Sequence, residues 1–198
     1  AYVNVPSRWV TDYGTTIDSY AFSTYIHEIG HALGLGHLGP YDGDAVYGRS
    51  EIFANDSVQV SIMSYFEQVT NTSINASNAN PLTPMLADVV AIQTLYGAPD
   101  ANSATAGNTV WGANTTLDGY LGAYFDLISD GQSNRNLYGN GPVALTIYDH
   151  SGRDTLDLSY GGSNSHIDLR PESFSNINGL FGNLGIARDT IIENAIGG

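Results

Sequence analysis

Three of the chain's five histidines fall within eleven residues, in the run His27-Glu28-Ile29-Gly30-His31-Ala32-Leu33-Gly34-Leu35-Gly36-His37. The pattern is H-E-x-x-H-x-x-G-x-x-H, and each fixed position answers a physical requirement. His27 and His31 are four residues apart, so on a helix their imidazoles share one face and can hold one metal ion. Glu28 follows the first histidine, where a carboxylate beside the metal can take a proton from a water. A further helical turn would not bring a third imidazole to the same ion, so the helix must stop and the chain turn back. Gly34 suits that stop, because glycine accepts positive φ at no steric cost. The turn then delivers His37. Three neutral imidazoles leave positions open for water and substrate, which is the donor set of a catalytic zinc site rather than a closed structural one.

A helix must carry this motif. It is expected to begin near Asp18 or Ser19, either of which can cap free N–H groups, and to end at Gly34. Tyr25, Ile29 and Ala32 fall at helical spacing on the side away from the histidines, so that face should be core and the metal face should open on a cleft. Upstream, residues 1–5 read as a short strand and 6–16 as a connection. Downstream, residues 38–60 are rich in Gly, Asp, Asn and Ser, with Tyr41, Tyr47 and Phe53 scattered among them. So long a loop in a compact domain points to function or bound structure. Its aromatic residues either line one side of the cleft or pin the loop to the body.

The next motif is Ser61-Ile62-Met63-Ser64-Tyr65. A methionine is ordinarily a core residue, but here it follows a three-histidine motif. With this pair of motifs the chain resembles the metzincin metallopeptidases, whose histidine run is followed by a methionine-containing turn beneath the metal. Within them it is similar to the serralysins, secreted bacterial zinc proteases, which carry a similar H-E-I-G-H-A-L-G-L run and M-S-Y turn. The resemblance runs on through Leu86–Gly97 to the closing Glu193-Asn194-Ala195-Ile196-Gly197-Gly198. It implies zinc held by His27, His31 and His37, Glu28 as general base, and Met63 as the turn methionine. It makes Tyr65 an additional, displaceable zinc ligand. Leu38 departs from the proline that often follows the third histidine in the family.

Residues 67–80 are polar and read as a surface loop. Thr83-Pro84 then opens a second helix with apolar Leu86, Val89, Val90, Ile92 and Leu95, stopped by Gly97 and Pro99. This helix is expected beside the histidine helix, with Asp88 as a solvent or capping group rather than a ligand. Beyond Pro99 helical periodicity disappears. Short β-like runs follow: Thr109–Trp111, Ala144–Tyr148, Thr155–Leu158, His166–Leu169 and Ile191–Ile192. A boundary near residue 100 divides a 1–99 unit from a β-rich 100–198 unit.

In the second unit, Asp149-His150-Ser151-Gly152-Arg153-Asp154 looks like an oxygen-ligand loop of the kind hard Ca²⁺ requires. The serralysin resemblance implies a calcium ion there, held with Asp149, Ser151, Gly152 and Asp154 by the segment of Thr105, Gly107 and Thr109. It implies a further calcium at Ile191 and Glu193, where Ile191 could offer only its carbonyl. No full G-G-x-G-x-D-x-U-x repeat is present. The fold class expected is therefore α+β: a zincin-like catalytic subdomain followed by a β-rich region leading into a calcium-binding parallel β-roll.

With 198 residues the chain can bury a real core. Its net charge is −14, and all six basic residues are arginine. That excludes the basic footprint of a nucleic-acid binder. The lack of cysteine excludes disulfides and thiol chemistry. No signal peptide and no apolar run long enough for a bilayer is read, so no membrane partner is expected. The resemblance implies secretion to the extracellular space through a far C-terminal signal that this chain does not contain. It also implies a sheet ahead of the histidine helix, including an edge strand for extended substrate, and the chain has at most one such strand. The expected function is a zinc endopeptidase acting on protein or peptide substrates. The alternative is a feebly active, metal-binding fragment that serves as a folding or interaction module, with the other half of the catalytic domain as its partner.

Overall fold

The computed structural model describes residues 6–162 and 164–198. Residues 1–5, read above as a strand, lie outside them. The fold is α+β, in the order α1 (Ser7–Tyr13), α2 (Tyr20–Ala32), β1 (Asn80–Pro81), α3 (Leu86–Tyr96), β2 (Val110–Gly112), α4 (Gly119–Ser129), β3 (Val143–Ile147), β4 (Thr155–Asp157), β5 (Phe174–Ser175), β6 (Leu184–Ile186) and β7 (Asn194–Ile196). No helix among the described residues is long and apolar enough to cross a membrane.

Helix α2 carries the histidine motif. Of the two expected caps, Ser19 performs the role: its Oγ accepts from the Phe22 amide at 3.2 Å. Asp18 instead accepts from the amides of Gly139 and Gly141, at 2.8 and 2.7 Å. Regular helix ends at Ala32, and Gly34 with φ +94° turns the chain away. Residues 6–16, expected as a connection, contain α1. Its Trp9 packs on Tyr25 and Tyr20, with ring centroids 6.3 and 6.2 Å apart, and such aromatic contacts order the segment. The expectation that Tyr25, Ile29 and Ala32 form core is not met. Tyr25 is half-buried, Ile29 is 50% exposed and Ala32 is exposed. Among the described residues, α1 packs on that face of α2 at Tyr25, while Ile29 and Ala32 stay exposed.

Helix α3 starts two residues later than a cap at Thr83 suggests. Thr83 Oγ1 accepts from the Thr146 amide at 2.8 Å, tying it to β3, and Met85 is the N-cap. Asp88 is the capping group, accepting from the Met85 amide at 2.8 Å. α3 meets α2 at its far end rather than along its length: the Tyr96 hydroxyl donates to the Leu33 carbonyl at 2.9 Å.

The region after Pro99 is not devoid of helix. Leu121, Tyr124, Phe125 and Ile128 are spaced three and four apart, and α4 turns this face into the main core. The strand at Thr109–Trp111 is shifted by one residue to β2, and that at Ala144–Tyr148 by one to β3. Thr155–Leu158 corresponds to β4. His166–Leu169 forms no strand; His166 makes a single bridge, to Asn176. Ile191–Ile192 forms none either. Ile192 turns into the core, Ile191 is exposed, and pairing starts at Asn194.

The strands form two sheets. One has the order β1-β3-β6-β5, with β5 antiparallel to β6 and the other pairs parallel. The other, β2-β4-β7, is wholly parallel, in register Val110↔Thr155↔Asn194. β3 is buried at all five positions, as befits an apolar run with both faces covered. Core contacts cross residue 100: Ile17 and Leu82 pack with Trp111, Tyr124, Leu145 and Ile186, and β1 pairs with β3.

Candidate metal centre

Helix α2 places His27 and His31 on one face, with ring centroids 4.7 Å apart, and the turn at Gly34 brings His37 to 4.7 Å from His31 and 5.3 Å from His27. One ligand nitrogen from each ring lies within 4.8 Å of the others. Among the described residues this is the one such group of three His or carboxylate side chains. Every Nδ1 faces a backbone carbonyl: Ile62 for His27 at 2.8 Å, Leu35 for His31 at 2.9 Å and Tyr41 for His37 at 2.8 Å. A carbonyl only accepts, so each Nδ1 is the N–H and each Nε2 keeps its lone pair. The Nε2 atoms of His31 and His37 then face each other at 3.0 Å, two acceptors with no donor between them. A cation resolves that contact, so the residues fit a metal ion. Burial holds the His27 imidazole below its ordinary pKa, which favours the neutral form a metal needs.

The segment Ser61–Tyr65 lies beneath. Met63 is 1% exposed, and a Cβ at Gly30 would fall 2.5 Å from its Sδ, so glycine between the two helical histidines lets α2 rest on the methionine. Both ends of the segment are tied to buried carboxylates. Asp88 accepts from Ser61 Oγ at 2.6 Å and the Ile62 amide at 2.8 Å. Asp56 accepts from Ser64 Oγ at 2.6 Å and from the Tyr41 hydroxyl at 3.1 Å to each oxygen. Burial, with the Asp56 charge beside it, pushes Tyr41 up to about 12, so it stays a neutral donor. Burial raises Asp88 too, against the lowering effect of its three hydrogen bonds. Tyr65 is part-exposed, its ring 4.4 Å from His37 and 6.1 Å from His27.

Glu28 is exposed beside the histidines and, with His27, Asp44, Tyr65, Glu67 and Pro81, lines a cleft of about 600 Å³. None of the three loop aromatics lines it. Tyr41 and Tyr47 pin the loop instead, both rings packing on Phe66 and the Tyr47 hydroxyl bonding Ser73 Oγ at 2.9 Å, and Phe53 is exposed.

The candidate calcium residues are partly gathered. Ala106 and Ser151 form a parallel bridge, and the Thr105 carbonyl accepts from the amides of His150 and Ser151. Asp154 accepts from the Thr109 amide at 2.7 Å, and its own amide donates to Glu193 at 2.7 Å. Thr109 Oγ1 donates to the Gly107 carbonyl, and Gly152 sits at φ +144° close over Gly107. Asp149 is 2% exposed; Oδ2 accepts from Trp111 Nε1 at 2.9 Å, whereas Oδ1 is buried with no partner. Burial, with Asp154 nearby, pushes Asp149 up to about 6. A buried acceptor lacking a donor is a fit for a cation. Ile191 is exposed and stands apart from the Asp149 loop's hydrogen bonds.

Sequence reasoning missed Asp56 and Tyr41 as parts of the histidine site. Fifteen residues separate them and no local spacing announces the pair. Asp88 had a signal, its place in the first turn of a helix.

Residues 101–198 match the family described as "Peptidase M10 serralysin C terminal". "Serralysin B" of Dickeya chrysanthemi is 40% identical over 185 residues, covering 91% of this chain and 35% of that protein. "Serralysin" of Photorhabdus luminescens is 35% identical over 205 residues, covering 100% of this chain and 38% of that protein. "Metalloprotease AprA" of Pseudomonas entomophila is 38% identical over 188 residues, covering 91% and 35%. The class is thus that of the M10 metalloproteases. Within it the chain belongs to the serralysin family, and it spans little more than a third of the length of these relatives.

Proposed function

We propose that the chain is part of a secreted, extracellular zinc endopeptidase that hydrolyses peptide bonds in proteins. In this reading residues 1–99 are the C-terminal part of its catalytic domain, α2 is the active-site helix and Ser61–Tyr65 the methionine turn. Residues 100–198 begin a calcium-binding parallel β-roll. The observation that carries the reading is the pair of facing Nε2 lone pairs on His31 and His37, with His27 in reach and Glu28 on the same cleft.

His27, His31 and His37 would hold the zinc ion. When bound, zinc supplies Lewis acidity, lowering the pKa of a water and polarising a carbonyl. Glu28 takes the proton of the attacking water and returns it to the leaving amine. Tyr65, the additional displaceable ligand, gives its hydroxyl to the oxyanion that develops on the carbonyl oxygen. The cleft lies beside both groups, and a protein or peptide chain is the substrate proposed for it. The net charge of −14 argues against nucleic acid as a partner. Thr105, Gly107, Thr109, Asp149, Ser151, Gly152 and Asp154 would hold Ca²⁺ in the second unit, with a further ion at Ile191 and Glu193. The orphan Oδ1 of Asp149 supports the first of these.

Glu28→Gln is the test. Zinc content should stay that of the parent while casein cleavage disappears; cleavage at the parent rate would sink the mechanism. A second reading has its own observation, the exposed side of α2 at Ile29 and Ala32, beside half-buried Tyr25. On that reading the chain binds metal but acts weakly until the other half of the catalytic domain covers this face. Robust proteolysis by the 198 residues alone would remove it.

A further inference from the structure

We propose that Asp56 and Asp88 are positioning residues of the histidine site, two buried carboxylates that fix the carbonyls of Tyr41 and Ile62 and through them the rings of His37 and His27. The proposal rests on the metal-binding reading of the three histidines. Neither carboxylate is near enough to serve as a ligand within that cluster, and Asp56 and Asp88 are 0% and 2% exposed. Burying a carboxylate is costly unless donors surround it, and a turn alone could be tied by neutral groups.

The two ties are built alike. At one end, Ser61 Oγ donates to Asp88 and accepts from the Met63 amide at 3.0 Å. At the other, Ser64 Oγ donates to Asp56 and accepts from the Phe66 amide at 3.0 Å. Each carboxylate then holds one more group of the residue whose carbonyl receives an imidazole N–H. Asp88 takes the Ile62 amide, and the Ile62 carbonyl takes His27. Asp56 takes the Tyr41 hydroxyl, and the Tyr41 carbonyl takes His37. Asp56 is itself fixed, since its backbone carbonyl accepts from Asn71 Nδ2 at 2.8 Å. An imidazole turns freely about its last torsion unless its second nitrogen is held. The direction of each Nε2 lone pair is therefore set by where these carbonyls stand. The same tie reaches Tyr65, which lies between Ser64 and Phe66 in sequence and packs 4.9 Å from the Tyr41 ring.

The test uses Asp56→Asn and Tyr41→Phe in the whole chain, with Tyr47→Phe as control. Tyr47 loses hydroxyl bonds to Ala54 and Ser73 in the same region but touches neither carboxylate, and it reaches Asp56 only through Asn71. Two readouts are taken well below the melting temperature: zinc affinity by competition with a chelator, and the visible spectrum of the Co²⁺-loaded protein. Asp56→Asn and Tyr41→Phe should each weaken zinc about 10-fold or more and alter the cobalt bands. Tyr47→Phe should do neither. Tyr41→Phe keeps its carbonyl and ring, and decides the matter if Asp56→Asn does not fold. Parent-like affinity and cobalt spectrum in Tyr41→Phe and any folded Asp56→Asn overturn the positioning role, as does an equal loss in Tyr47→Phe. A parent that binds no zinc overturns the metal reading together with this one, and that is read before any variant.

Discussion

Buried carboxylates occur in both halves of the molecule, and the pair under the histidines is treated differently from Asp149 in the β-rich half. Under the histidines, Asp88 accepts at both oxygens, from Ser61 at one and from Ile62 and Met85 at the other, and Asp56 is ringed by Tyr41 and Ser64. In the β-rich half, Asp149 is buried as deeply, yet one oxygen has no donor and Asp154 stands beside it. The first arrangement is complete without an ion and can orient a site in advance. The second leaves charge uncompensated and is completed only by a cation or a proton. Metal should therefore matter to chemistry in the first region and to stability in the second.

The largest expected effect breaks the comparison most directly. In zinc-saturated protein, Ca²⁺ at about 100 times its Kd should add about 2.7 kcal/mol by mass action. For a chain of this size that raises the melting temperature by about 5–10 °C. Asp149→Ala with Asp154→Ala should abolish the increment. If parent and double variant melt together with and without Ca²⁺, the Asp149 loop is only a turn and the two regions do not differ.

Asp18 sharpens the contrast, because it is a third buried carboxylate with its donors in place, and it joins the start of α2 to residues 139–141. Burial raises its pKa, but hydrogen bonds from Thr16, Gly139 and Gly141 outweigh that and hold it below the ordinary 3.8. Between the two values the unfolded chain binds more protons than the folded one, so stability rises with pH there. The contribution is full above 3.8 and is lost as pH falls through the native value. Asp18→Asn should cost about 1.5 kcal/mol near neutral pH, with the difference closing in strong acid. Denaturant melts of both proteins across pH 2 to about 7 read this directly. A difference that stays constant across that range would show that the side chain acts through shape rather than charge.

Much of the site was legible because its rules are local. Histidines four apart, a glycine at the helix end and a serine cap are requirements within a dozen residues, and the helix, its turn and His37 follow from them. Where position depends on distant partners, the sequence was silent or misleading. Asp56 meets Tyr41 across fifteen residues of loop. The α4 face of Leu121, Tyr124, Phe125 and Ile128 was hidden in a region whose glycines and asparagines read as turns. At Ile191–Ile192 the side chains alternate between solvent and core as in a strand, but ladder pairing begins only at Asn194, which no local pattern announces.

The smallest expected effect concerns the residue whose sequence reading was most clearly reversed. Ile29 sits between Glu28 and Gly30 on α2, and periodicity alone assigned it to core, whereas half of it is exposed. A side chain in that state contributes little to folding, so Ile29→Gln should change the stability of the 198-residue chain by no more than about 0.5 kcal/mol. The apolar stripe it belongs to is nonetheless continuous with Tyr25 and Trp9. If an upstream part of a catalytic domain packs there, the same substitution in a longer chain that includes it should cost about 1.5–3 kcal/mol, the value of fully burying an isoleucine. The pair of measurements separates two explanations of the exposed face. A near-zero cost in the short chain and a large one in the long chain means the stripe is an interface awaiting its partner. Near-zero costs in both mean that α2 needs nothing on that side.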